Sequence, residues 1–563
     1  MRPMSPKNVR PTRSPMPKGR WCTLVAFCVL AASGCAIDAG VTTLGAAPAP
    51  PPALGGDTSD TIPTLDDPFT PASTPATVPG DPANTQAAPG SPDPGGTDPG
   101  GTVTGTTLPP ILEPELYADL PLSDVVDVGD AKPAREHDAF VAVALADIET
   151  WLTSEFPAVF GKEFEPLEGG IYAGYPERTD DIPGCGEDTT SYDELTQFAA
   201  FYCQFGDFMA YDDGDNSILV QLSEAFGPAV LGIVLAHEYG HAMQARTGAF
   251  DDPLPTVFTE QQADCFAGAW AGRAYRGESD LLRLGDRDLR TGLIAMVEVR
   301  DPVGFNQLED GGHGSAFDRV GAFQEGFVNG LTVCATLLDD PLTLMPNVFQ
   351  TLNDQVLGGN AAYDCTELQP QFQTDCADAP VFLSDDLNNF WATIDPSFEP
   401  LTPLAVSDFS TFSCPNQVEI SQEVIYCPDT SAVAYDEPAI LELYRDYGDF
   451  TLGYFFGIAW ADVAQTRANS PLNGEARALL NDCLTGVWVR DITPDDNGEI
   501  NRPDSGISAS PGDLDEAIQM AILVGDVGAN VNIIGSPFEK IASFRSGVIG
   551  GQDKCDTVFD LTP

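Results

Sequence analysis

The chain has 563 residues, with 85 Asp and Glu against 26 Lys and Arg, so its formal net charge is −59. Nucleic acid is excluded as a partner because its recognition needs a basic face, and the acidity indicates a well-solvated surface. The 43% of hydrophobic residues can form substantial cores, and the length exceeds that of one ordinary domain. No stretch has the D-x-D-x-D-G spacing of a calcium loop.

Residues 1–35 have the pattern of a lipoprotein-type signal peptide. Six basic and no acidic residues in the first 20 precede an apolar stretch, Trp21 to Ala32, that is too short to span a bilayer comfortably. The following Ala32-Ser33-Gly34-Cys35 resembles a bacterial lipobox with Cys35 as the lipidated residue, although that pattern prefers Leu where Ala32 stands. We expect an extracytoplasmic protein, lipid-anchored to the bacterial cell membrane through Cys35. Simple secretion is the alternative.

The next segment, 36–112, is predicted to be a disordered linker. It is rich in Pro, Gly and Thr, and its part up to Pro110 has no Lys or Arg and one aromatic residue, Phe69. Such a composition cannot bury enough apolar surface to fold. As a coil of roughly 75 residues it would extend about 45–50 Å, enough to hold a folded body away from a membrane.

The remaining chain contains an internal duplication. The motif Phe201-Tyr202-Cys203 with Ala210-Tyr211-Asp212 recurs as Ile425-Tyr426-Cys427 with Ala434-Tyr435-Asp436, at equal spacing. Further along, Ala263-Asp264-Cys265 recurs as Asn481-Asp482-Cys483. Repeats of this kind indicate one structural unit used twice. We therefore predict a first copy at 113–340, a connector at 341–380 and a second copy at 381–563.

The cysteines support the duplication. Export permits disulfides, and the four cysteines of the first copy match the four of the second copy in order. Sequence alone does not fix their connectivity, but a unit that once stood alone must close its own four. The predicted pairs are Cys185–Cys203, Cys265–Cys334, Cys414–Cys427 and Cys483–Cys555, with Cys365–Cys376 closing the connector.

The sequence His237-Glu238-Tyr239-Gly240-His241 reads H-E-x-x-H and lies in an apolar run between Pro228 and Gly248. These two residues are typical of helix ends, so we predict a helix of about five turns. Residues four apart share a helix face, so His237 and His241 can bind one zinc ion, with Glu238 beside them as the general base. Histidines that only make hydrogen bonds in a core are the alternative.

A catalytic zinc site needs a third protein ligand and an open position. Eighteen residues separate His241 from Glu260. Glu260 and Asp264 are four apart, so they share a face of a second predicted helix. We predict Glu260 as the third ligand and Asp264 as the support of a ligand histidine. The alternative is a charged turn at a helix start.

These motifs together resemble those of the bacterial neutral zinc metallopeptidase family. The similarity extends over about 180–330 and is carried by Phe201-Tyr202-Cys203, Tyr211, His237-Glu238-x-Gly240-His241 with Gln244, Glu260-Gln261-x-Ala263-Asp264-Cys265-x-Ala267-Gly268-x-Trp270, and His313-Gly314-Ser315 with Arg319. The resemblance implies an α+β, zincin-like fold, helix-rich with a small sheet beside the active-site helix. It implies a reaction class, peptide-bond hydrolysis, but no substrate.

Three further residues or segments bear on this chemistry. His313, in a glycine-rich loop, is our candidate for stabilising the oxyanion, although such a histidine is often simply exposed. Phe208 to Asp212 is predicted to be either an edge strand that aligns a substrate or a core strand. His137 has no evident partner and is predicted to lie on the surface.

The second copy lacks the catalytic residues. Aligned on Gln244 and Gln465, it has Ile458, Ala459, Asp462 and Ala478 in place of His237, Glu238, His241 and Glu260, and Ile534 in place of His313. Asp264, in contrast, is retained as Asp482, which favours an at least partly structural role. We therefore predict a degenerate second copy.

The leading hypothesis is a zinc endopeptidase acting on peptides or proteins. One alternative is a metal-stabilised surface protein that binds without turnover, against which the intact Glu238 argues. Another is a zinc hydrolase or amidase that acts on cell-wall peptide. The sequence leaves the oligomeric state and the role of the second copy open.

Overall fold

The computed structural model describes Val25–Ala26 and residues 120–561, apart from 187–188, 252–253, 369–372, 374–375, 496–497, 504, 526–535 and 560. The predicted lipidation site Cys35 and the predicted linker lie outside the described residues, as does most of the signal segment. Among the helices that the structure describes, none is long and apolar enough to cross a bilayer. The protein is helix-rich with small β-sheets.

The first copy has a long helix, a small sheet and a group of packed helices. Its helices are α1 (Asp138–Phe160), α2 (Tyr192–Leu195), α3 (Ile218–Phe226), α4 (Ala229–Thr247), α5 (Thr256–Tyr275), α6 (Asp286–Glu298), α7 (Ala316–Asn329) and α8 (Leu331–Cys334). Its strands are β2 (Gly170–Gly174), β3 (Ile182–Pro183), β4 (Thr189–Thr190), β5 (Ala200–Cys203) and β6 (Phe208–Asp212), and β1 (Val25–Ala26) joins them from the N-terminal segment.

The second copy repeats this order after α9 (Leu352–Leu357) in the connector. Its helices are α10 (Ala379–Ile394), α11 (Glu437–Tyr447), α12 (Phe450–Arg467), α13 (Gly474–Ile492), α14 (Asp513–Gly525) and α15 (Pro537–Val558). Its strands are β7 (Thr402–Val406), β8 (Val418–Glu419), β9 (Val424–Cys427) and β10 (Ala432–Asp436). Thus α4, α5 and α7 of the first copy correspond to α12, α13 and α15 of the second.

The two larger sheets also correspond. Their strand orders are β1-β5-β6-β2 and β7-β10-β9-β8. In each, a hairpin pairs with an earlier strand: β6 runs parallel to β2 and antiparallel to β5, and β10 runs parallel to β7 and antiparallel to β9. Phe208 to Asp212 is therefore an interior strand, so the core-strand reading is correct and the edge-strand reading is wrong.

Glycines set the close approach of the helices in both copies. A Cβ on Gly268 of α5 would lie 1.9 Å from the carbonyl oxygen of Phe323 in α7. The equivalent Gly486 of α13 would meet the carbonyl oxygen of Phe544 in α15 at 2.1 Å. No other residue type fits at either crossing, so the α5–α7 and α13–α15 pairs are specified by the same device.

All five predicted disulfides are present. Cys185–Cys203 and Cys414–Cys427 close the sheets, whereas Cys265–Cys334 and Cys483–Cys555 tie α5 and α13 to the ends of their copies. Cys365–Cys376 closes the connector. The Cα–Cα distances of 5.5–5.9 Å are those of ordinary disulfides.

The copies contact each other through equivalent surfaces. Gln324 of the first copy donates a hydrogen bond to the carbonyl of Phe538 in the second copy at 2.8 Å. The equivalent residues make the reverse contact, because Arg545 donates to the carbonyl of Phe317. Arg545 corresponds to Gln324, and Phe317 corresponds to Phe538. Such reciprocal contacts are those of a two-fold interface, here within one chain. Buried apolar side chains of both copies form one continuous core across it.

Candidate metal centre

Two crossing helices bring three predicted ligands together. Helix α4 begins after Pro228 and ends at Gly248, whose left-handed φ of 85° terminates it as predicted. It is buried on every face from Ala229 to Gln244, so it is a core helix that carries polar residues inside the protein. Helix α5 packs across it because Gly240 leaves no Cβ, which would lie 2.8 Å from the Cα of Ala263.

This crossing places His237, His241 and Glu260 side by side. The Nε2 atoms of the two histidines are 3.1 Å apart. Glu260 lies on the second turn of α5, with Oε2 3.1 Å from Nε2 of His237 and Oε1 3.4 Å from Nε2 of His241. All three side chains are buried. These donors form a group that could hold a metal ion, and we call them the metal centre.

Hydrogen bonds on the far side of each ring fix its orientation. Nδ1 of His237 donates to Oδ1 of Asp264 at 2.7 Å, as predicted, and Nδ1 of His241 donates to Oε1 of Gln244 at 2.9 Å. Gln244 is itself held because its Nε2 donates to the carbonyl of Thr259 at 2.6 Å. With both Nδ1 atoms facing these partners, each Nε2 faces Glu260 across the space in which a metal ion could bind.

Asp264 has a second partner that the ligand prediction did not include. It receives two hydrogen bonds from the buried Arg319, from Nε at 2.9 Å and from Nη2 at 2.7 Å. Arg319 also donates to the carbonyl of Val299 at 2.7 Å. Asp264 therefore both orients His237 and neutralises a buried cation, which agrees with the partly structural role expected from its retention in the second copy.

Burial and the surrounding charges shift the pKa values of His237, His241 and Glu260 in different directions. Burial alone would lower the pKa of His237, but Asp264 and Glu260 raise it to about 9. Burial lowers the pKa of His241 to about 4. Burial would raise the pKa of Glu260, but the charges of His241, His313 and His237 hold it well below its usual range. Glu260 is therefore an anion at every physiological pH.

Glu238, like Glu260, is a carboxylate buried at this site. Both carboxylate oxygens are buried without a hydrogen-bond partner in the described part of the chain. Burial raises its pKa to about 7, against the lowering effect of His237. A buried polar group without a partner is costly, and such groups are typical of functional sites.

His313 is buried beside the metal centre rather than exposed. Its charge helps to lower the pKa of Glu260, and Asp301 and Glu260 raise its own pKa despite its burial. The loop is anchored because Oδ2 of Asp301 accepts the amides of His313 and Gly314, each at 2.8 Å. The exposed alternative is therefore wrong, whereas its role with an oxyanion stays a prediction.

The second copy has filled the corresponding space. Asp462, at the position of His241, pairs with Arg477 at 2.7 Å, and Ile458, Ala459 and Ala478 are buried. Asp482, at the position of Asp264, accepts a hydrogen bond from Lys540 at 2.7 Å and from Tyr454 at 2.6 Å. The aspartate and its basic partner thus persist where the counterparts of His237, His241 and Glu260 are no longer a metal-binding set.

His137 is not a surface residue, and that prediction was wrong. It is buried, and its Nε2 lies 2.8 Å from Oδ1 of Asp213. Lys132 places its ammonium 2.8 Å from Asp213 and 2.6 Å from Asp138. The histidine and two aspartates could otherwise form a second metal-binding group, but a lysine cation already compensates their charge.

Sequence reasoning gave no role to Gln244, Arg319 or Asp301. Gln244 could have been found, because it lies three residues after His241 and so shares its helix face. Arg319 and Asp301 are 55 and 37 residues from Asp264 along the chain, so no local sequence pattern indicates that they support the same site. Only the fold brings these supports to the centre.

Comparisons with known proteins identify relatives without assigning an activity. The chain is 32% identical over 169 residues to proteins of Mycobacterium bovis and Mycobacterium tuberculosis that are described as uncharacterized. The match covers 26% of this chain and 55% of each relative, so the chain spans about half the length of the curated relatives it matches. No family model and no solved structure matches the chain.

Proposed function

We propose that the protein is a zinc-dependent peptidase whose single active centre lies in the first copy. The observation that carries this proposal is the convergence of three buried donors, on His237, His241 and Glu260, next to the unpartnered carboxylate of Glu238. A merely structural histidine pair would have no use for that carboxylate. The motif resemblance to neutral zinc metallopeptidases, with its zincin-like fold, supports the same proposal.

The donor set fits zinc. Tetrahedral Zn²⁺ with bonds of about 2.0–2.2 Å has ligand atoms about 3.3–3.6 Å apart. The two Nε2 atoms are 3.1 Å apart, and Glu260 places Oε2 3.1 Å from Nε2 of His237 and Oε1 3.4 Å from Nε2 of His241. Two imidazoles and one carboxylate are also a known catalytic zinc set, which leaves a fourth position open. Small side-chain shifts would bring these donors to the distances that this ion requires.

Each polypeptide group then has a distinct task. When bound, zinc lowers the pKa of water toward about 7 and polarises a carbonyl. Glu238 accepts the proton of the attacking water and delivers it to the leaving amine, a task that suits a carboxylate with a pKa of about 7. Asp264 and Gln244 orient the two histidines, and in this proposal His313 donates to the developing oxyanion.

The strand beside α4 gives a basis for proposing a peptide substrate. Strand β5 pairs with β6 along one edge, and among the described residues its other edge pairs only with Val25–Ala26. These two residues run antiparallel to β5, opposite Tyr202 and Phe201. The β5 edge thus accepts an extended chain, which is how β-strand addition binds peptides. We propose that substrates pair there, with the protein exported and lipid-anchored at Cys35.

A digest of a broad peptide library tests this function. The zinc-loaded protein should cleave internal peptide bonds, and removal of zinc should abolish cleavage. Stoichiometric zinc without cleavage of any peptide would favour the surface binding protein. Release of products from cell-wall peptide alone would favour the amidase.

A further inference from the structure

A second group of buried acidic residues lies far along the chain from the metal centre. Asp449 immediately precedes α12, Asp513 begins α14, and Glu516 follows one turn later. One oxygen of each lies within 4.8 Å of one oxygen of the others. We call these three residues the acidic cluster. It borders a cavity of about 430 Å³ between α12 and the connector, lined by Asp354, Asp449 and Asp513 among others.

Each carboxylate uses one oxygen to accept a backbone amide. Asp449 accepts from Ala361 at 3.0 Å, Asp513 from Ser510 at 2.9 Å and Glu516 from Phe450 at 2.7 Å. These hydrogen bonds hold the side chains in place but use only one of the two oxygens of each carboxylate. Oδ1 of Asp449 and Oδ1 of Asp513 are buried and have no hydrogen-bond partner among the described residues, and Asp513 as a whole is only 6% exposed.

No basic side chain of the described part of the chain compensates this charge. Burial raises the pKa of all three carboxylates, and neighbouring carboxylates raise it further for Asp513 and Glu516. Buried carboxyl groups are rarely left uncompensated, because they are paired with cations, coordinate metal ions or take up a proton. Asp264 with Arg319 and Asp482 with Lys540 are examples of pairing with a cation.

The acidic cluster is particular to the second copy. In the first copy, Pro228 occupies the position of Asp449, and Asp288 and Thr291 occupy those of Asp513 and Glu516. Asp288 accepts the amide of Gly285 at 2.8 Å, just as Asp513 accepts that of Ser510. The second copy therefore has carboxylates at two positions, Asp449 and Glu516, where the first copy has none.

A glycine makes room for the third carboxylate. Gly448 has a φ of +117°, and a Cβ on it would lie 2.1 Å from Oε1 of Glu516. The equivalent Gly227 has a similar φ of +113° but has nothing within 4 Å of such a Cβ. The space that Gly448 leaves in the second copy is thus occupied by a carboxylate, next to the two unpartnered oxygens.

We propose that Asp449, Asp513 and Glu516 bind a hard divalent cation, with Ca²⁺ as the best-fitting ion. Hard cations prefer oxygen ligands, and bonds of about 2.3–2.6 Å let one Ca²⁺ bridge oxygens up to about 5 Å apart. Water in the adjoining cavity completes the coordination. Such a site differs from an EF-hand loop, because its ligands come from two helix starts 64 residues apart.

The cation fastens the connector to the second copy. Asp449 is bonded to Ala361 through its carboxylate, and its own amide donates to Oδ1 of Asn360 at 2.9 Å. Tyr444 of α11 donates to the carbonyl of Ala361 at 2.7 Å. Neutralising the acidic cluster therefore stabilises the junction between α12, α14 and residues 360–361. Millimolar calcium outside cells would leave a site with a Kd of about 10⁻⁴–10⁻³ M between about half and nine-tenths occupied.

Calcium-dependent unfolding of the full chain tests the proposal. Protein freed of divalent ions on a chelating resin, then reloaded with zinc, is heated with increasing CaCl₂, MgCl₂ or NaCl of equal ionic strength. At 100 times its Kd, Ca²⁺ should raise the unfolding temperature of the second copy by about 5–10 °C. Equilibrium dialysis should find one bound Ca²⁺ per chain at saturation, and Mg²⁺ should act more weakly.

Two matched variants make the result specific. Asp513→Asn should abolish the Ca²⁺ shift yet unfold, without Ca²⁺, at a temperature no lower than the wild type, because one repelling charge is gone. Asp288→Asn, at the equivalent position of the first copy, should keep the full shift. Failure of the wild type to bind Ca²⁺ or Mg²⁺, or an unchanged shift in Asp513→Asn, would overturn the proposal; Asp449→Asn provides the same test if Asp513→Asn does not fold.

Discussion

Asp264 combines two tasks that substitution by asparagine should separate. Asp264→Asn keeps the size and one acceptor oxygen but removes the charge that faces His237 and Arg319. The variant should bind Zn²⁺ more weakly, because a neutral amide holds the His237 ring less firmly and makes it a poorer donor. It should also be less stable, because Arg319 is fully buried and would lose its counter-ion.

The structure sets the size of both effects. Loss of a group that supports a metal-binding histidine typically weakens metal affinity about 10–100-fold, or about 1.4–2.7 kcal/mol. Breaking a buried ion pair costs about 3–5 kcal/mol of unfolding free energy. We expect a loss of about 3 kcal/mol for Asp264→Asn, because the amide oxygen can still accept a hydrogen bond from Arg319. Both losses occur together only if Asp264 acts on His237 as well as on Arg319.

Asp482→Asn in the second copy is the matched control. It removes the same charge from a buried cation, Lys540, but no metal ligand lies beside it. Chelator competition should therefore give an unchanged Kd for Zn²⁺, while urea unfolding should give a similar loss of stability. An unchanged Kd in Asp264→Asn, or an equal loss of affinity in both variants, would refute the assignment of Asp264 to His237.

Three other predictions follow from single contacts. His241→Ala removes one of three ligands and should abolish stoichiometric zinc binding in elemental analysis, and full retention of zinc would contradict the ligand set. Gly268→Ala should lower the free energy of unfolding in urea by about 1–3 kcal/mol although alanine favours helices, because its Cβ collides with the Phe323 carbonyl; a raised midpoint would contradict this packing. Replacing Cys265 and Cys334 by serine should cost about 4 kcal/mol of stability in the same assay for a separation of 69 residues, and an unaltered midpoint would be inconsistent with that bond.

Local patterns predicted much of this structure. The α4 helix ends where Pro228 and Gly248 indicate, because proline and glycine act through their own backbone preferences. The pairing of the cysteines followed from the duplication, since each copy closes its own four. The HExxH spacing correctly predicted that His237 and His241 lie side by side, because residues four apart on a helix meet whatever the tertiary fold is. Glu260 reaches them only through the crossing of α4 and α5.

The failures concern contacts between distant residues. His137 was expected at the surface because its partner Asp213 is 76 residues away. The acidic cluster was not foreseen, since Asp449 and Asp513 come from separate helix starts. Arg319 was recognised only as part of a motif, and its role became clear when the fold placed it on Asp264. Composition and periodicity do not encode such pairings.

Glu238→Gln tests the central claim most directly. The amide preserves the size of the side chain but cannot accept and deliver a proton, so zinc content and unfolding temperature should match those of the wild type. The rate on the best library peptide should fall by at least about 10²–10⁴-fold, the usual contribution of a general base. Equal cleavage by wild type and Glu238→Gln, with zinc bound in both, would contradict the proposed peptidase.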